Sequence, residues 1–448
     1  MASTQSKGQP TASLVASAEH PGRDGFFKSA QWSADGTTIF TSSSTNTINS
    51  YILPEDLLSP RPAPLPLQAQ GTITLPEPTH AIAPSPYFSL QNPYTHLILA
   101  GAKDHPIQLH HAFPEHQPSS PPSFPSHSQP PPLATYPLIH APTETYQTPT
   151  SLLWSPPGTH FLAGARNLLA YFDASRSGSS SSPILSIPTI PSARTNLKGG
   201  GVGMRGTVSA LAAQFEEQGA GGLVAAGTWT RWVGLYDLSR AGACAATWGV
   251  RDAAAGDGGE DMNPGAAVVK PGRGRGVGGA GIMQTLWSPC GRYLVVNERK
   301  SRGLLVYDVR VTGRLLGWLA GRDGDTQQRL SCDVYPGVDG VGGFEVWAGT
   351  RDGTIKVWEG VGNTEGYVEE SWGWKGHGSA VGSAAMHGCG SVVATCSGAW
   401  RLLDQDEDEV DDGDGGLLRP RTKIEESELK IWTIKGSESG DPIPEPEA

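Results

Sequence analysis

Cysteine is scarce: Cys244, Cys290, Cys332, Cys389 and Cys396 are the only five in 448 residues, and no two form a C-x-x-C pair. An odd count without paired spacing argues against a disulfide framework. It casts the thiols as small core fillers in a reduced compartment, cytosol or nucleus. No stretch approaches 18 consecutive apolar residues, so no membrane-spanning helix and no membrane partner are expected. The opening residues, MASTQSKGQPTASLVASAEH, lack the apolar run of a secretory signal. Long stripes of 3.6-residue periodicity are also missing, whereas apolar-polar alternation recurs, which favours strands over helices. Basic residues are outnumbered, 33 to 44, for a net charge of −11. Eight of the acids lie between Asp404 and Asp414 with no Lys or Arg among them, and account for all but three of those charges. The remaining body is near neutral, so net charge neither requires nor excludes an RNA partner.

Glycine and proline, by contrast, are plentiful (58 and 37), and one pattern occurs three times. Trp32-Ser33-x-x-Gly36, Trp154-Ser155-x-x-Gly158 and Trp287-Ser288-x-x-Gly291 each precede an apolar strand pattern, a polar turn and a second apolar run. Such a unit is a small antiparallel sheet that cannot bury both faces alone, so copies must stack. Aligned on this pattern, the chain divides into seven units, at about 26–53, 94–113, 151–190, 207–248, 282–319, 330–374 and 380–434. The expected fold is all-β, a seven-bladed β-propeller over 26–434, whose closure leaves few exposed sheet edges. Within the N-terminal segment 1–25, the apolar stretch 12–18, bounded by Ala12 and Ala18, is expected to supply the outer strand of the seventh blade. Proline-, serine-, glycine- or acid-rich stretches near 54–80, 114–133, 175–182, 193–206, 250–281 and 403–428 are read as flexible insertions. Residues 435–448 are read as a disordered acidic tail.

The unit endings Tyr236-Asp237, Tyr307-Asp308, Val357-Trp358 and Ile431-Trp432, with Gly376-His377, resemble WD40 repeats. His377, Thr395 or Ser397, and Trp432 are similar to the internal hydrogen-bonding set of such blades, which implies a structural histidine. A second resemblance is carried by an ordered series of segments. They are FFKSAQWSADGTTIFTSSSTNTINSYILPEDL, DHPIQLHHAF, THFLAGARNLLAYFDASRSG, GLVAAGTWTRWVGLYDL, and Asp325-Thr326-Gln327-Gln328-Arg329 followed by Asp333-Val334. This order is similar to that of the telomerase Cajal body protein family and spans about 26–359. The acidic insertion in the seventh unit and the Pro- and Gly-rich loops depart from it. The resemblance implies a nuclear, non-enzymatic scaffold that binds small nuclear or Cajal-body RNA and ribonucleoprotein proteins. In animal relatives the implied RNA includes telomerase RNA. Fungal-type relatives are associated with pre-mRNA splicing particles.

In a propeller the turns between second and third strands share one face. Here those turns carry Lys103, Arg166, Arg231, Arg299 with Lys300 and Arg302, Arg351 and Arg401, so six of seven units offer a base. Loops entering the units add Lys28, Lys198, Arg205, Arg273, Arg275, Arg329 and Lys375. A ring of cations can engage phosphates from several directions, and Trp229, Trp400 and Trp232 beside it can stack on unpaired bases. Any single base in such a turn is more often solvated or locally paired, and Trp232 is expected to pack between blades. The set is the stronger sign.

Other motifs carry less. The segment 201–206 satisfies G-x-G-x-x-G, but a strand pattern follows where a dinucleotide site needs a helix. The acidic run places Val410 where a calcium ligand is required. His105, His110 and His111 lack a completing carboxylate or thiol at ligand spacing. No G-x-S-x-G elbow is present. The expectation is no catalytic residue, no metal, no cofactor and no small-molecule substrate. Short basic tracts at 272–276 and 419–423 weakly resemble an RNA-binding repeat and a nuclear import signal. The rival reading is a protein-only WD40 adaptor resembling a G-protein β-subunit.

Overall fold

A computed structural model describes residues 9–22, 24–114, 130–178, 181–190, 203–214, 222–251, 277–337, 342–402, 422–424 and 426–436. Its seven principal sheets follow one another around an axis, each antiparallel in its core and each starting with an inner strand. Blade 1 runs outward as Phe27–Trp32, Thr38–Ser43, Thr47–Ile52 and Gly71–Thr74. Blade 3 repeats the plan with Ser151–Ser155, His160–Ala165, Leu168–Asp173 and Leu185–Pro188. Blade 4 does so with Val208–Ala213, Leu223–Thr228, Trp232–Asp237 and Ala243–Gly249. The fold is the all-β seven-bladed propeller that the repeats predict.

The repeated motif acts at two places. Its Ser-x-x-Gly makes the turn from the first to the second strand. The glycine N–H bonds back to the serine carbonyl in all three copies, at 3.0, 2.7 and 2.8 Å. Gly36, Gly158 and Gly291 have φ of +72°, +100° and +67°, a region where a side chain would be strained. The tryptophans join blades. Trp32 Nε1 donates to Ala385 O at 2.9 Å, Trp154 Nε1 to Ala83 O at 2.9 Å and Trp287 Nε1 to Ala212 O at 3.2 Å. Each acceptor belongs to the inner strand of the preceding blade, Val381–Met386, Thr79–Pro84 and Val208–Ala213, so blade 2 begins ahead of the 94–113 expected of it. The indole thus fills the junction and also satisfies its own polar atom.

Every junction between blades has its own apolar cluster. Phe40, Ile48, Ile73 and Ile98 fill the one between blades 1 and 2, and Val295, Leu304, Val346 and Trp358 the one between blades 5 and 6. The seventh blade is closed by the N-terminal strand Thr11–Glu19, which pairs antiparallel with Glu428–Lys435 and buries Ala16 completely. Both ends of the described chain therefore lie in one sheet. Inside that blade His377 Nε2 lies 2.7 Å from Thr395 Oγ1, which also accepts from Trp432 Nε1 at 2.8 Å. Glu426 holds the other ring nitrogen at 3.1 Å.

The stretch 54–80 differs from the flexible insertion expected of it. Leu65–Pro66 adds to the closing strand in parallel, and Gly71–Thr74 is the outer strand of blade 1. Leu57, Ile73 and Leu75 are buried and anchor it, which its proline content conceals. Lys198, Arg273, Arg275, the acidic run, both short basic tracts' cores and the start of the G-x-G-x-x-G lie outside the described residues, as does the tail from 437.

Candidate nucleic-acid interface

Turns between second and third strands meet the loops that lead into their own or the next blade, which puts both on one face. Lys103 N bonds to Pro78 O at 3.2 Å, Asn167 N to Gly206 O at 2.9 Å and Arg351 N to Asp323 O at 2.7 Å. The turns are tight, and Asp104, Asn167, Arg231 and Lys300 take left-handed φ between +52° and +69°.

The basic residues on this face divide into paired and unpaired groups. Arg231 is neutralised. Its Nε and Nη2 reach Glu298 at 2.7 and 3.0 Å, and the two side chains are 14% and 2% exposed. Burial pushes the Glu298 carboxyl up, while the Arg231 guanidinium works against that shift. Arg351 pairs with Asp323 at 3.1 Å, Lys375 with Asp352 at 4.0 Å and Lys103 with Asp104 at 3.9 Å. Arg401 lies on the short strand Trp400–Leu402, and its side chain is outside the described residues.

Apart from Arg231, the bases that blades 3 to 5 place on this face are left without carboxylate partners among the described residues. Arg166 and Arg205 are exposed where the blade 3 turn meets the loop into blade 4, and Lys300 and Arg302 are exposed on the blade 5 turn. The Arg299 guanidinium lies over the Trp229 ring at 5.4 Å, and that indole is 43% exposed. Backbone contacts make the strip continuous. Thr230 Oγ1 donates to Arg205 O, Arg231 Nη2 reaches Gly278 O at 3.2 Å, and Gly278 bridges to Ser301. An aromatic plane flanked by unpaired cations can stack a base and hold its phosphates. Trp232, which begins its strand after the left-handed Arg231, keeps 36% of its surface exposed and is absent from the buried junction clusters. Trp400 is 51% exposed and rests edge-on against Phe26 at 5.6 Å, apart from this strip.

Arg329 occupies a different place. It turns into the central channel, where Nη2 donates to Met283 O at 2.6 Å. The residue that sets this loop escaped sequence reasoning. Arg322 is fully buried and donates to Gly349 O at 3.1 Å, Asn297 Oδ1 at 2.6 Å and Leu330 O at 2.6 Å. Its surroundings, Gly321 to Gly324, read as an ordinary polar turn.

One group among the described residues has metal-like spacing: His377, Glu426 and Glu428. Lys430 fills it, with Nζ 3.1 Å from Glu426 Oε1 and 2.5 Å from Glu428 Oε2, so the cluster is an ion-pair network. No described helix is long and apolar enough to cross a membrane.

No protein-family model matches the chain. Telomerase Cajal body protein 1 of Mus musculus is 23% identical over 422 residues, 92% of this chain and 67% of that protein. The Rattus norvegicus protein of the same name is 24% identical over 402 residues, 89% of this chain and 63% of its own length. The guanine nucleotide-binding protein negative regulator 1 of Schizosaccharomyces pombe is 24% identical over 340 residues, covering 74% and 70%. With its seven blades and this similarity over most of its length, the chain is a seven-bladed β-propeller that resembles telomerase Cajal body protein 1 and the Schizosaccharomyces pombe regulator.

Proposed function

We propose that the protein is a non-enzymatic scaffold that holds a structured small RNA within a nuclear ribonucleoprotein. The RNA lies against the strip formed by Arg166, Arg205, Trp229, Arg299, Lys300 and Arg302. The observation that carries this reading is the segregation of charge on one face. Cations on blades 2 and 6 have acidic partners, while those on blades 3 to 5 other than Arg231 have none among the described residues and surround an open indole. Phosphate contacts supply affinity and register, and stacking on Trp229 selects an unpaired nucleotide. The relation to proteins named for telomerase and the Cajal body supports a nuclear small RNA as partner, with ribonucleoprotein proteins docking on the rest of the disc. Cross-linking the protein to RNA in cells and sequencing the recovered RNA tests it. Small nuclear RNAs are expected, recovered far less by a variant carrying Arg166→Glu, Lys300→Glu and Arg302→Glu.

A second reading, a protein-only adaptor, is favoured by the similarity to the Schizosaccharomyces pombe regulator. It predicts an empty RNA fraction and protein partners that survive nuclease treatment.

A further inference from the structure

The central channel is walled by the inner strands of all seven blades and encloses about 450 Å³. Its two ends differ in chemistry. Lys28, His80 and Arg329 stand where the inner strands of blades 1, 2 and 6 begin. Trp32, Leu286, Met386 and Asp333 lie further along.

The basic groups at the mouth are held by backbone, not by acids. Lys28 Nζ donates to Thr79 O at 2.9 Å and Arg329 Nη2 to Met283 O at 2.6 Å, and no described carboxylate forms an ion pair with either. The one acid among the described lining residues is engaged elsewhere, since the Asp333 oxygens accept from Val334 N at 2.9 Å and Met386 N at 2.8 Å.

We infer that this mouth binds a multiply charged phosphate group, which enters the channel end-on and is held by Lys28, His80 and Arg329. Crowding like charges into a confined space is unfavourable unless an anion compensates them. Lys28 supplies a point charge and Arg329 a two-pronged donor, the pair of geometries that suits phosphoryl oxygens. The two cations, Lys28 and Arg329, come from different blades, so they hold different oxygens of one phosphate chain, and the His80 ring adds an N–H donor beside them. A cavity of this size admits a short phosphate chain but not a folded RNA.

The perturbed ionisation of the three groups agrees with this crowding. Burial lowers each of them. Arg329 lowers Lys28 further, and Lys28, Lys103 and Arg329 lower His80 against the opposing pull of Asp104.

The site is separate from the strip on blades 3 to 5, and its test separates the two. Pyrophosphate is titrated into the full chain by calorimetry at fixed ionic strength. Saturable binding is expected, weakened tenfold or more by Lys28→Met and by Arg329→Gln. The unfolding midpoint of each variant shows that it is folded. Arg166→Glu/Arg302→Glu, which disables only the strip, leaves the binding unchanged. One short RNA carrying a 5′-triphosphate or a 5′-hydroxyl then identifies the source. A preference for the triphosphate that Lys28→Met abolishes assigns the group to an RNA end, and equal binding assigns it to a free polyphosphate. Absence of saturable binding to the wild-type chain, or binding that neither channel variant weakens, overturns the inference.

Discussion

Arg231 and Glu298 form a two-point ion pair, 2.7 and 3.0 Å, that spans the junction between blades 4 and 5. A cation on the solvent face is thereby spent on holding a carboxylate that is almost fully buried. Arg231→Ala leaves Glu298 unpaired and should cost about 3 kcal/mol in denaturant unfolding. Adding Glu298→Leu should restore most of that loss. RNA affinity of the folded single variant should change little.

Charge reversal at the unpaired bases should behave differently. The triple variant Arg166→Glu/Lys300→Glu/Arg302→Glu should keep its unfolding midpoint but bind RNA more weakly. The slope of log K against log salt should flatten by about 3, at roughly 0.9 for each phosphate no longer neutralised. The control is Lys103→Glu/Arg351→Glu, whose bases already face Asp104 and Asp323. An equal loss in the control would show that position on the strip does not matter.

Trp287→Phe keeps the ring in the junction but removes the bond to Ala212 O. A buried carbonyl then loses its donor, and stability should fall by about 1–2 kcal/mol. Trp154→Phe and Trp32→Phe should cost similar amounts, since their acceptors occupy the same place in the preceding blade.

Acid should destabilise the disc through two kinds of group. Burial holds His80, His96, His110 and His377 below the usual histidine value, with His110 at about 4. These histidines are neutral in the fold but take up protons when it unfolds. Their contribution is complete above about 6.5 and is lost as pH falls below that value. Against the cost of burial, bonds to His377, Lys430 and the Gly378 N–H depress Glu426 to about 2. It adds stability that is present above the unfolded value of about 4.3 and is lost as pH falls towards the folded one. His377→Gln should make the decline between about pH 6.5 and 5 shallower, measured as the unfolding midpoint against pH.

Ala16→Asp should open the ring. The residue is fully buried where the first strand crosses the last, and an unpaired carboxylate there has no compensating donor. The loss of several kcal/mol should appear as faster proteolysis of both terminal segments, with blades 2 to 5 digested later.

The disc was legible because its rule is local. Trp-Ser-x-x-Gly sets a turn through its own glycine, and copies of it give the register of the remaining strands. The partly apolar 12–18 stretch signalled a strand without a neighbour. Charge on the face was less legible, because partners come from adjacent blades. Nothing near Arg231 announces Glu298, which sits in a charged turn sequence, Glu298-Arg299-Lys300, yet points inward. Arg322 gave no sign at all: an arginine between glycines and an aspartate reads as solvent-exposed until the loop wraps it. Gly71–Thr74 was hidden by the prolines on either side.

The seam in blade 7 has a consequence for how the chain is made. The strand Thr11–Glu19 is synthesised long before its antiparallel partner Glu428–Lys435, with the other six blades made between them. Throughout synthesis the early strand has an open edge, and the six complete blades form an arc with two exposed apolar ends. The arc becomes a ring only when Glu428–Lys435 emerges. A chain terminated a few residues before 428 would lose more than its last strand, because its beginning would have nothing to hold.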